Sequence, residues 1–437
     1  MVKSRKIVVI LLVLVLAITM LIIPTACTTK ENAIIILPGI MGSNLIDGEE
    51  GRPLWAPISG LNMHEMDISD ITKLLKDDAV KDLLDLDGEY GAFNWIEKMS
   101  MNNDGSSKYN IVTQSLDKKG KPKYENASTY GTLEYYEKLY KALYEKYNKT
   151  HDVILFEYDW RLDVSVSADK LQEFINSKKY KNVSIVAHSM GGLVTSSYLA
   201  KSEDNRNKID KVITLGTPYL GALKALRVPE DPLSLLDSSF DNVFDMVKRI
   251  VESLNKDIPN CFDMLLGQVI DLVRTFPSMY QMVPYEAFMG AYNIEGDENY
   301  GSSFIIKDGE PMRDYKDIVE FLTGREFNQD VHYIEKIIDW QKLGYVEKDG
   351  KLVHATTLVN TTYFVGTNIE TEYGIIYENG KMTGVRNSTL GDGTVPTYSA
   401  SCGLPLNDER VVVFDKVSHG DLSYNDICID KIFEIIG

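Results

Sequence analysis

The sequence has 437 residues, of which 44% are hydrophobic and 25% are charged, and its formal net charge at pH 7 is −18. This length exceeds a minimal domain but suits one elaborated α/β domain with a large core. The acidic balance argues against nucleic acid as a partner and against electrostatic attraction to anionic lipid. Any hold on a membrane would therefore come from a lipid anchor or from apolar surface.

The N-terminus has the pattern of an export signal. Three cations precede a 17-residue, mostly apolar run from Ile7 to Ile23, and small residues then lead to Cys27. This pattern predicts a lipoprotein-type signal peptide over residues 1–26, with Cys27 as the lipid-anchor site. An uncleaved anchor helix is the alternative, because such a run is at the short edge of what spans a bilayer. Both interpretations predict an extracytoplasmic protein, either anchored at the membrane or secreted.

Short β-rich runs alternate with helical patterns along most of the chain. Several of the runs are continuously apolar, as is typical of parallel strands covered on both faces. Apolar residues at helical spacing predict helices over 132–147 and 167–179, the second with Ser167 as its N-cap. The alternation predicts an α/β fold with a doubly wound, mostly parallel sheet. The predicted strands are 33–39, 151–159, 182–188, 211–217, 361–367 and 410–417.

Two segments interrupt this alternation and are predicted to be insertions. Residues 55–130 are mixed and polar, and we expect a first cap there. Residues 227–360 are mostly helical, with one apolar helical face over 240–254 and another over 262–273, and we expect a cap or lid. A moving lid and a static helical cap are both compatible with this pattern. The sheet core is then assigned to residues 27–54, 131–226 and 361–437.

The stretch SIVAHSMGGLV, residues 184–194, contains the candidate nucleophile. A strand ends near Ala187 and a helix begins near Met190, so Ser189 would lie on a tight strand-to-helix turn. The helix N-terminus there helps to stabilise negative charge. The positions two before and two after the serine must be small, and Ala187 and Gly191 are, although glycine is usual at the first. A structural serine in a turn is the alternative.

A serine nucleophile needs a base, and chain order selects one histidine. In α/β-hydrolases the order is serine, acid, histidine, and His419 directly follows the last predicted strand. Asp392 lies between the two with a glycine on each side, and it is the candidate acid, although a plain GDG turn is the alternative. His188 is expected to point away from the site. The remaining histidines precede the serine or lie in or near the second insertion: His64, His151, His332 and His354.

An oxyanion hole needs two backbone N–H donors. One is expected from Met190, directly after the nucleophile. The other is expected from the glycine-rich turn after the first strand, in IIILPGIMGSNL, where Ile40 is the preferred donor and Met41 the alternative. An ordinary β-turn at Pro38 and Gly39 is the competing interpretation.

Six stretches of this chain resemble the lecithin:cholesterol acyltransferase family, which includes lysosomal phospholipase A2-type and plant phospholipid acyltransferase members. The resemblance implies that Ser189 is the nucleophile, Asp392 the acid and His419 the base, with Ile40 and Met190 as oxyanion amides. The stretches occur in family order over nearly all of residues 33–437. They are LPGIMGSNL (37–45), YDWRLD (158–163), VAHSMGG (186–192), TLGTPYLGA (214–222), GDGTVP (391–396) and VSHGDL (417–422).

The resemblance also suggests roles for features around the site. Residues 158–161, YDWR, are expected to shape the floor of the site and to bury a polar pair. Animal members carry a disulfide-closed lipid-engaging loop in the first cap, whereas residues 50–130 here contain no cysteine. Trp55, Phe93 and Trp95 could contact lipid or belong to the core. A Cys402–Cys428 disulfide is possible in an extracellular setting.

These features together predict an extracytoplasmic serine lipase or acyltransferase. It would form an acyl-enzyme from a lipid ester, which the resemblance implies is a phospholipid, and pass the acyl chain to water or to an alcohol. A water-only lipase or carboxylesterase is one alternative, and a catalytically silent lipid-binding surface lipoprotein is another. The chemistry requires no cofactor, and the sequence has no metal-ligand cluster or phosphate loop.

Overall fold

The computed structural model describes the larger part of the chain. The predicted signal peptide and anchor site Cys27 lie outside the described residues, as do His64, His332 and most of the predicted helical face over 240–254. The described residues are 30–55, 78–114, 123–124, 127–228, 248, 251–252, 255–258, 260–292, 303–324 and 333–437.

Strands are distributed over the whole described chain. In chain order they are β1 (Asn32–Leu37), β2 (Leu45–Asp47), β3 (Pro53–Trp55), β4 (Ile111–Thr113), β5 (His151–Leu155), β6 (Asn182–His188), β7 (Ile209–Leu215), β8 (Ile305–Lys307), β9 (Glu310–Pro311), β10 (Tyr345–Lys348), β11 (Lys351–His354), β12 (Thr361–Thr367), β13 (Thr371–Glu378), β14 (Lys381–Ser388) and β15 (Val411–Asp415).

Helices occur between the strands and in the insertions. In chain order the α-helices are α1 (Asp78–Leu84), α2 (Ala92–Met99), α3 (Glu137–Tyr147), α4 (Val164–Lys178), α5 (Met190–Lys201), α6 (Glu203–Asn207), α7 (Leu223–Arg227), α8 (Cys261–Arg274), α9 (Pro277–Tyr280), α10 (Tyr315–Thr323), α11 (Tyr333–Trp340), α12 (Thr397–Ala400) and α13 (Asp426–Ile436). Short 3₁₀ helices span Thr132–Glu134, Glu286–Tyr292, Ala355–Leu358 and Asp421–Ser423.

A six-stranded sheet forms the centre of the fold, in the order β15-β12-β7-β6-β1-β5. All of its neighbouring strands are parallel. Its strands are the six that the sequence predicts, so the predicted α/β fold with a doubly wound sheet is confirmed. The chain order reverses beside β1, which has β5 on one side and β6 on the other. Ligands bind outside the carboxyl ends of strands at such a reversal.

Alternate residues of the strands enter two cores, one on each face of the sheet. Ile35 and Leu37 of β1 belong to the core that includes buried residues of α4 and α5. Ile34 and Ile36 belong to the core that includes buried residues of α3 and α13. Each fully buried side chain of this kind contributes about 1.5–3 kcal/mol of transfer free energy. The two cores therefore hold the carboxyl ends of the strands in fixed positions.

The smaller sheets involve the insertions. A three-stranded sheet has the order β3-β2-β4, and β10 pairs with β11 as a hairpin. The hairpin of β13 and β14 extends into a sheet with β8 and β9, in which Ile375 lies opposite Ile305 of β8. The hairpin follows β12 in the chain but pairs with strands from the second predicted insertion.

Two local findings differ from the expectations. Helix α4 is capped by Asp163 and not by Ser167, because the Asp163 carboxylate accepts the N–H of Ser165 at 2.7 Å and starts the helix one turn earlier. Cys402 and Cys428 are free thiols, so the possible disulfide is absent. They pack against different cores on opposite faces of the sheet, and burial raises the pKa of each thiol to about 12.

Within the described residues, no helix combines the length and the apolar character that crossing a membrane requires.

Candidate active site

Ser189 lies on the sharp turn between β6 and α5, at the carboxyl edge of the central sheet. Its backbone has φ 52° and ψ −125°, a left-handed conformation that is costly for a residue with a side chain. The Ser189 N–H donates to the carbonyl of Leu215 in β7 at 2.9 Å, which anchors the turn. A strained serine in this position is the geometry of a nucleophile elbow.

The elbow depends on small neighbours. A Cβ atom at Gly191 would lie 2.6 Å from the carbonyl oxygen of Leu37, closer than real contacts allow. Ala187 has no exposed surface and packs in the core beneath the turn. A Cβ atom at Gly39 would lie 2.9 Å from the Cβ of Ser189. Strand β1, strand β6 and helix α5 thus meet around Ser189 with no room for larger residues.

Asp392 and His419 form a buried hydrogen-bonded pair. The Nδ1 of His419 lies 2.8 Å from Oδ2 of Asp392, and the two side chains are 15% and 0% exposed. The other carboxylate oxygen accepts the N–H groups of Thr394 at 3.0 Å and Val395 at 2.7 Å. The backbone N–H of His419 also donates to the carbonyl of Asp392 at 2.8 Å. Because Nδ1 donates to a carboxylate, Nε2 is left as the proton acceptor.

Glycines at the strand ends make room for this pair. Gly216, directly after β7, has φ +60°, and a Cβ atom there would lie 2.7 Å from Oδ2 of Asp392 and 2.9 Å from Nδ1 of His419. A Cβ atom at Gly366 in β12 would lie 2.6 Å from the Cβ of Asp392. Geometry therefore explains why the TLGTP stretch has a glycine at position 216: a side chain there would collide with the acid–base pair.

The ring of the candidate base lies beside the residue that precedes the nucleophile. The ring of His188, the residue before Ser189, is centred 4.8 Å from the ring of His419. Among the hydrogen bonds of the described residues, none joins Oγ of Ser189 to Nε2 of His419. Such catalytic contacts are often long in a free enzyme and tighten when substrate binds.

Side chains bond to carbonyls of the turn after β1 and to the amide of Gly39. The Tyr158 hydroxyl donates to the carbonyl of Pro38 at 2.6 Å, and the N–H of Gly39 donates to the Tyr136 hydroxyl oxygen at 2.8 Å. Met41 has φ 61°. In the part of the chain that the structure describes, no hydrogen bond uses the N–H of Ile40 or Met41. Both predicted oxyanion donors in this turn are thus unengaged.

Two tryptophans complete the support of this turn. Nε1 of Trp55 donates to the carbonyl of Met41 at 2.7 Å, and Nε1 of Trp160 donates to the carbonyl of Ser43 at 3.2 Å. Their rings meet edge to face at 5.5 Å. In the first insertion, Nε1 of Trp95 likewise donates to a backbone carbonyl, at 2.6 Å. Trp55 and Trp95 are the two tryptophans for which the sequence allowed either lipid contact or a place in the core. The indole N–H groups of both are therefore bonded inside the protein.

Asp159 and Arg161 of the YDWR stretch form the buried polar pair that the resemblance implies. Arg161 is fully buried and donates through Nε and Nη2 to the two oxygens of Asp159, at 2.9 and 2.6 Å. It also donates to the carbonyl of Met99 and to the hydroxyl of Ser107. The pair therefore ties the first insertion to the end of β5.

The other described histidines differ from His419. Burial lowers the pKa of His354 to about 3, and its Nδ1 lies 2.6 Å from the Thr356 hydroxyl, so it is a neutral structural group. His151 begins β5, at the opposite edge of the sheet from Ser189. The expectation that His188 points away from the site is wrong. Its ring lies between Tyr136 and the backbone of His419, at 2.9 and 3.0 Å.

Sequence reasoning missed Tyr136, His188 and Gly216 as parts of the site. Gly216 could have been found, because it lies in the TLGTPYLGA stretch that carries the family resemblance and directly follows a predicted strand residue. Tyr136 lies 52 residues from its partner His188. No local pattern links positions so far apart, so this contact needed the three-dimensional structure.

Taken together, the site has the parts of an acyl-transfer enzyme. Ser189 is a candidate nucleophile, and His419 with Asp392 is a candidate base with its orienting acid. The N–H groups of Ile40 and Met190 flank the elbow as candidate oxyanion donors.

The sequence and the fold of this chain are similar to those of known proteins. The sequence model of the lecithin:cholesterol acyltransferase family matches residues 123–230. The chain is 22% identical over 307 residues to lecithin-cholesterol acyltransferase-like 4 of Arabidopsis thaliana, covering 59% of this chain and 53% of the plant protein. It is 27% identical over 194 residues to an uncharacterized protein of Saccharomyces cerevisiae, covering 43% of this chain and 23% of the yeast protein.

The chain thus spans about half the length of the plant relative and about a quarter of the yeast one. Among solved structures, a chain of the crystal structure of the Tle4–Tli4 complex superposes with a TM-score of 0.56 at 12% identity. The superposition covers 93% of this chain and 98% of that chain. The superposition shows a fold shared with that chain, and the resemblance to the lecithin:cholesterol acyltransferase family is confirmed.

Proposed function

We propose that this protein is an extracytoplasmic serine acyltransferase or lipase that takes an acyl chain from a lipid ester, with phospholipid as the donor. The observation that carries the proposal is the buried Asp392–His419 pair at 2.8 Å, placed beside a serine in a strained elbow. The family match supports a lipid acyltransferase or ester hydrolase as the general class.

The reaction begins with proton transfer from the Ser189 hydroxyl to Nε2 of His419, while Asp392 stabilises the imidazolium that forms. The serine oxygen attacks the ester carbonyl, and the N–H groups of Ile40 and Met190 stabilise the oxyanion. The imidazolium then protonates the departing alcohol, which leaves an acyl group on Ser189. Water or an acceptor alcohol, deprotonated by His419, attacks this acyl-enzyme and releases the product.

The proposed location rests on the N-terminal sequence pattern. A signal of the lipoprotein type over residues 1–26 would export the chain, and lipidation of Cys27 would hold it at a membrane surface. The formal charge of −18 makes electrostatic attraction to anionic lipid unfavourable. An anchor would therefore bring the enzyme to its lipid substrate without a basic surface.

The first experiment compares a Ser189→Ala variant with the wild type on a soluble short-chain ester. We expect activity to fall by roughly 10⁴-fold or more, because triad members act as a unit. Ser196→Ala is the matched control, since Ser196 lies in the same helix and donates to the carbonyl of Gly192 at 2.8 Å. The proposal is wrong if Ser189→Ala keeps full esterase activity.

A second experiment separates the acyl acceptors. The enzyme is incubated with a phospholipid and a long-chain alcohol, and the products are separated by chromatography. An ester of the alcohol that depends on Ser189 indicates a transferase. Free fatty acid alone indicates a water-only hydrolase and removes the acceptor alcohol from the proposal.

A further inference from the structure

Both ring nitrogens of His188, the residue before the nucleophile, are engaged inside the protein. Nδ1 lies 2.9 Å from the hydroxyl of Tyr136, and Nε2 lies 3.0 Å from the carbonyl oxygen of His419. The Tyr136 oxygen in turn accepts the N–H of Gly39 at 2.8 Å. One chain of hydrogen bonds thus runs from the turn after β1 to the backbone of the base.

The chemistry of these groups fixes the direction of each bond. A carbonyl oxygen can only accept, so Nε2 of His188 carries the hydrogen that reaches His419. In the neutral ring Nδ1 is then the acceptor, so the Tyr136 hydroxyl donates to it. The Tyr136 oxygen keeps a lone pair for the N–H of Gly39. Every group in the chain is matched, with one tautomer of His188.

Burial makes this chain strong. Tyr136 is 1% exposed and His188 is 4% exposed, and hydrogen bonds in such surroundings are costly to leave unmade. Burial also raises the pKa of Tyr136 well above its ordinary range, so its hydroxyl remains a donor. Tyr135 stacks on the His188 ring with centroids 5.9 Å apart, which limits rotation of the ring.

The two ends of the chain are parts of the proposed catalytic machinery. Gly39 immediately precedes Ile40, the candidate oxyanion donor, and His419 is the candidate base. Deviations of about 1 Å in such groups can cost on the order of 100-fold in rate. We propose that Tyr136 and His188 are positioning residues that form one bridge, which sets the oxyanion turn and the base loop relative to Ser189. This inference rests on the proposed acyl-transfer function.

Substitutions can remove each part of the bridge separately. Tyr136→Phe removes the hydroxyl that serves both Gly39 and His188. His188→Asn keeps an acceptor near the position of Nδ1 and loses the donor to His419. His188→Gln places a donor near the position of Nε2 and loses the acceptor for Tyr136. Tyr140→Phe is the matched control, because that hydroxyl is on helix α3, which begins directly after Tyr136, and donates only weakly, at 3.4 Å, to Val153.

The test measures kcat and KM of these variants on a soluble short-chain ester, with melting temperature as a check on folding. We expect Tyr136→Phe to lower kcat by roughly 10- to 100-fold with KM within about twofold, because the bridge acts on transition-state geometry. His188→Asn and His188→Gln should each lower kcat, and Tyr140→Phe should leave it unchanged. In the Tyr136→Phe/His188→Gln double variant the losses should not multiply, since one bridge is broken twice.

Two results would overturn the bridge in an active enzyme: a Tyr136→Phe kcat within twofold of wild type, or losses that multiply in the double variant. If the His188 variants do not fold, the conservative Tyr136→Phe variant decides alone. A wild type without Ser189-dependent turnover would instead refute the proposed function.

The bridge itself has a readout that needs no activity. In ¹⁵N-histidine NMR spectra we expect His188 to be neutral with hydrogen on Nε2, and Tyr136→Phe to shift its Nδ1 signal. A His188 ring with hydrogen on Nδ1 would contradict the bridge whatever the activity.

Discussion

At the residue scale, the candidate site depends on glycines, which have no Cβ atom. Gly39, Gly191 and Gly216 each lie where a Cβ atom would come within 3 Å of the backbone or of a site residue. These close approaches let three strand ends converge on the Ser189 elbow and on the Asp392–His419 pair. A methyl group at one of these positions should therefore damage activity more than its size alone suggests.

Gly216→Ala should be the most informative of these changes. The new methyl would lie 2.7 Å from Oδ2 of Asp392 and would sit on a backbone with φ +60°. We expect esterase kcat to fall by roughly 100-fold as the acid–base pair is displaced, with a loss of stability of at least about 1 kcal/mol. Gly267→Ala is the control, because nothing lies within 4 Å of that position in helix α8, and it should leave activity unchanged. Normal kcat in Gly216→Ala would contradict the geometry of the pair.

At the element scale, the turn after β1 is supported by segments that are distant in sequence. Tyr158 and Trp160 follow β5, Tyr136 precedes α3, and Trp55 ends β3 in the first insertion. The YDWR stretch therefore does more than bury a polar pair, since two of its four residues bond directly to the oxyanion turn. Arg161 adds the contact with the first insertion, so that insertion and turn are held by adjacent residues.

The contribution of the Asp159–Arg161 pair to the free energy of unfolding can be compared with that of a similar pair in the same chain. Arg410 pairs with Asp408 with the same spacing and the same two-bond geometry, at 2.9 and 2.8 Å, but at the surface. Arg161→Ala should destabilise the protein by roughly 3–5 kcal/mol, because it leaves Asp159 buried and unpaired. Arg410→Ala should cost at most about 1 kcal/mol. Urea unfolding of both variants measures the difference, and equal losses would contradict the structural role of Arg161.

The elements that could be predicted from the sequence are those whose determinants are local. Continuous apolar runs and strand–helix alternation identify all six strands of the central sheet, and chain order places Asp392 and His419 after Ser189. The sequence predicts Ser167 as the N-cap of α4, whereas Asp163 caps it, because Asp163 is also a residue type that suits a cap and apolar spacing does not separate the two. The His188 bridge was missed because it depends on residues from three segments that meet only in the fold.

At the scale of the whole molecule, a strongly acidic protein keeps a carboxyl group buried next to the candidate active site. The chain has a formal charge of −18, yet the half-buried Glu157, beside the oxyanion turn, has an enclosed carboxyl group. Burial raises the pKa of Glu157 to about 8, although hydrogen bonds from Asn44 oppose the shift. The Asn44 side chain donates to Oε1 of Glu157 at 2.7 Å, so this carboxyl belongs to the support of the turn.

Stability should depend on pH through Glu157. Its pKa in the folded protein, about 8, exceeds the ordinary value of 4.5, so between these values the folded state binds more protons than the unfolded state. The free energy of unfolding should therefore fall as pH rises from about 4.5 to about 8, with a slope of up to about 1.4 kcal/mol per pH unit from this group. Glu157→Gln should remove this part of the slope in urea unfolding across that range. An unchanged slope would show that Glu157 is ionised in the folded protein.

The central claim is that Ser189 carries the acyl group, and covalent labelling tests it most directly. The protein is treated with a fluorophosphonate, digested and examined by mass spectrometry. We expect one adduct on the peptide that contains Ser189, lost in Ser189→Ala and slowed strongly in His419→Ala, because only an activated serine reacts at a useful rate. Labelling of another residue, or Ser189-independent ester turnover without labelling of Ser189, would contradict the account.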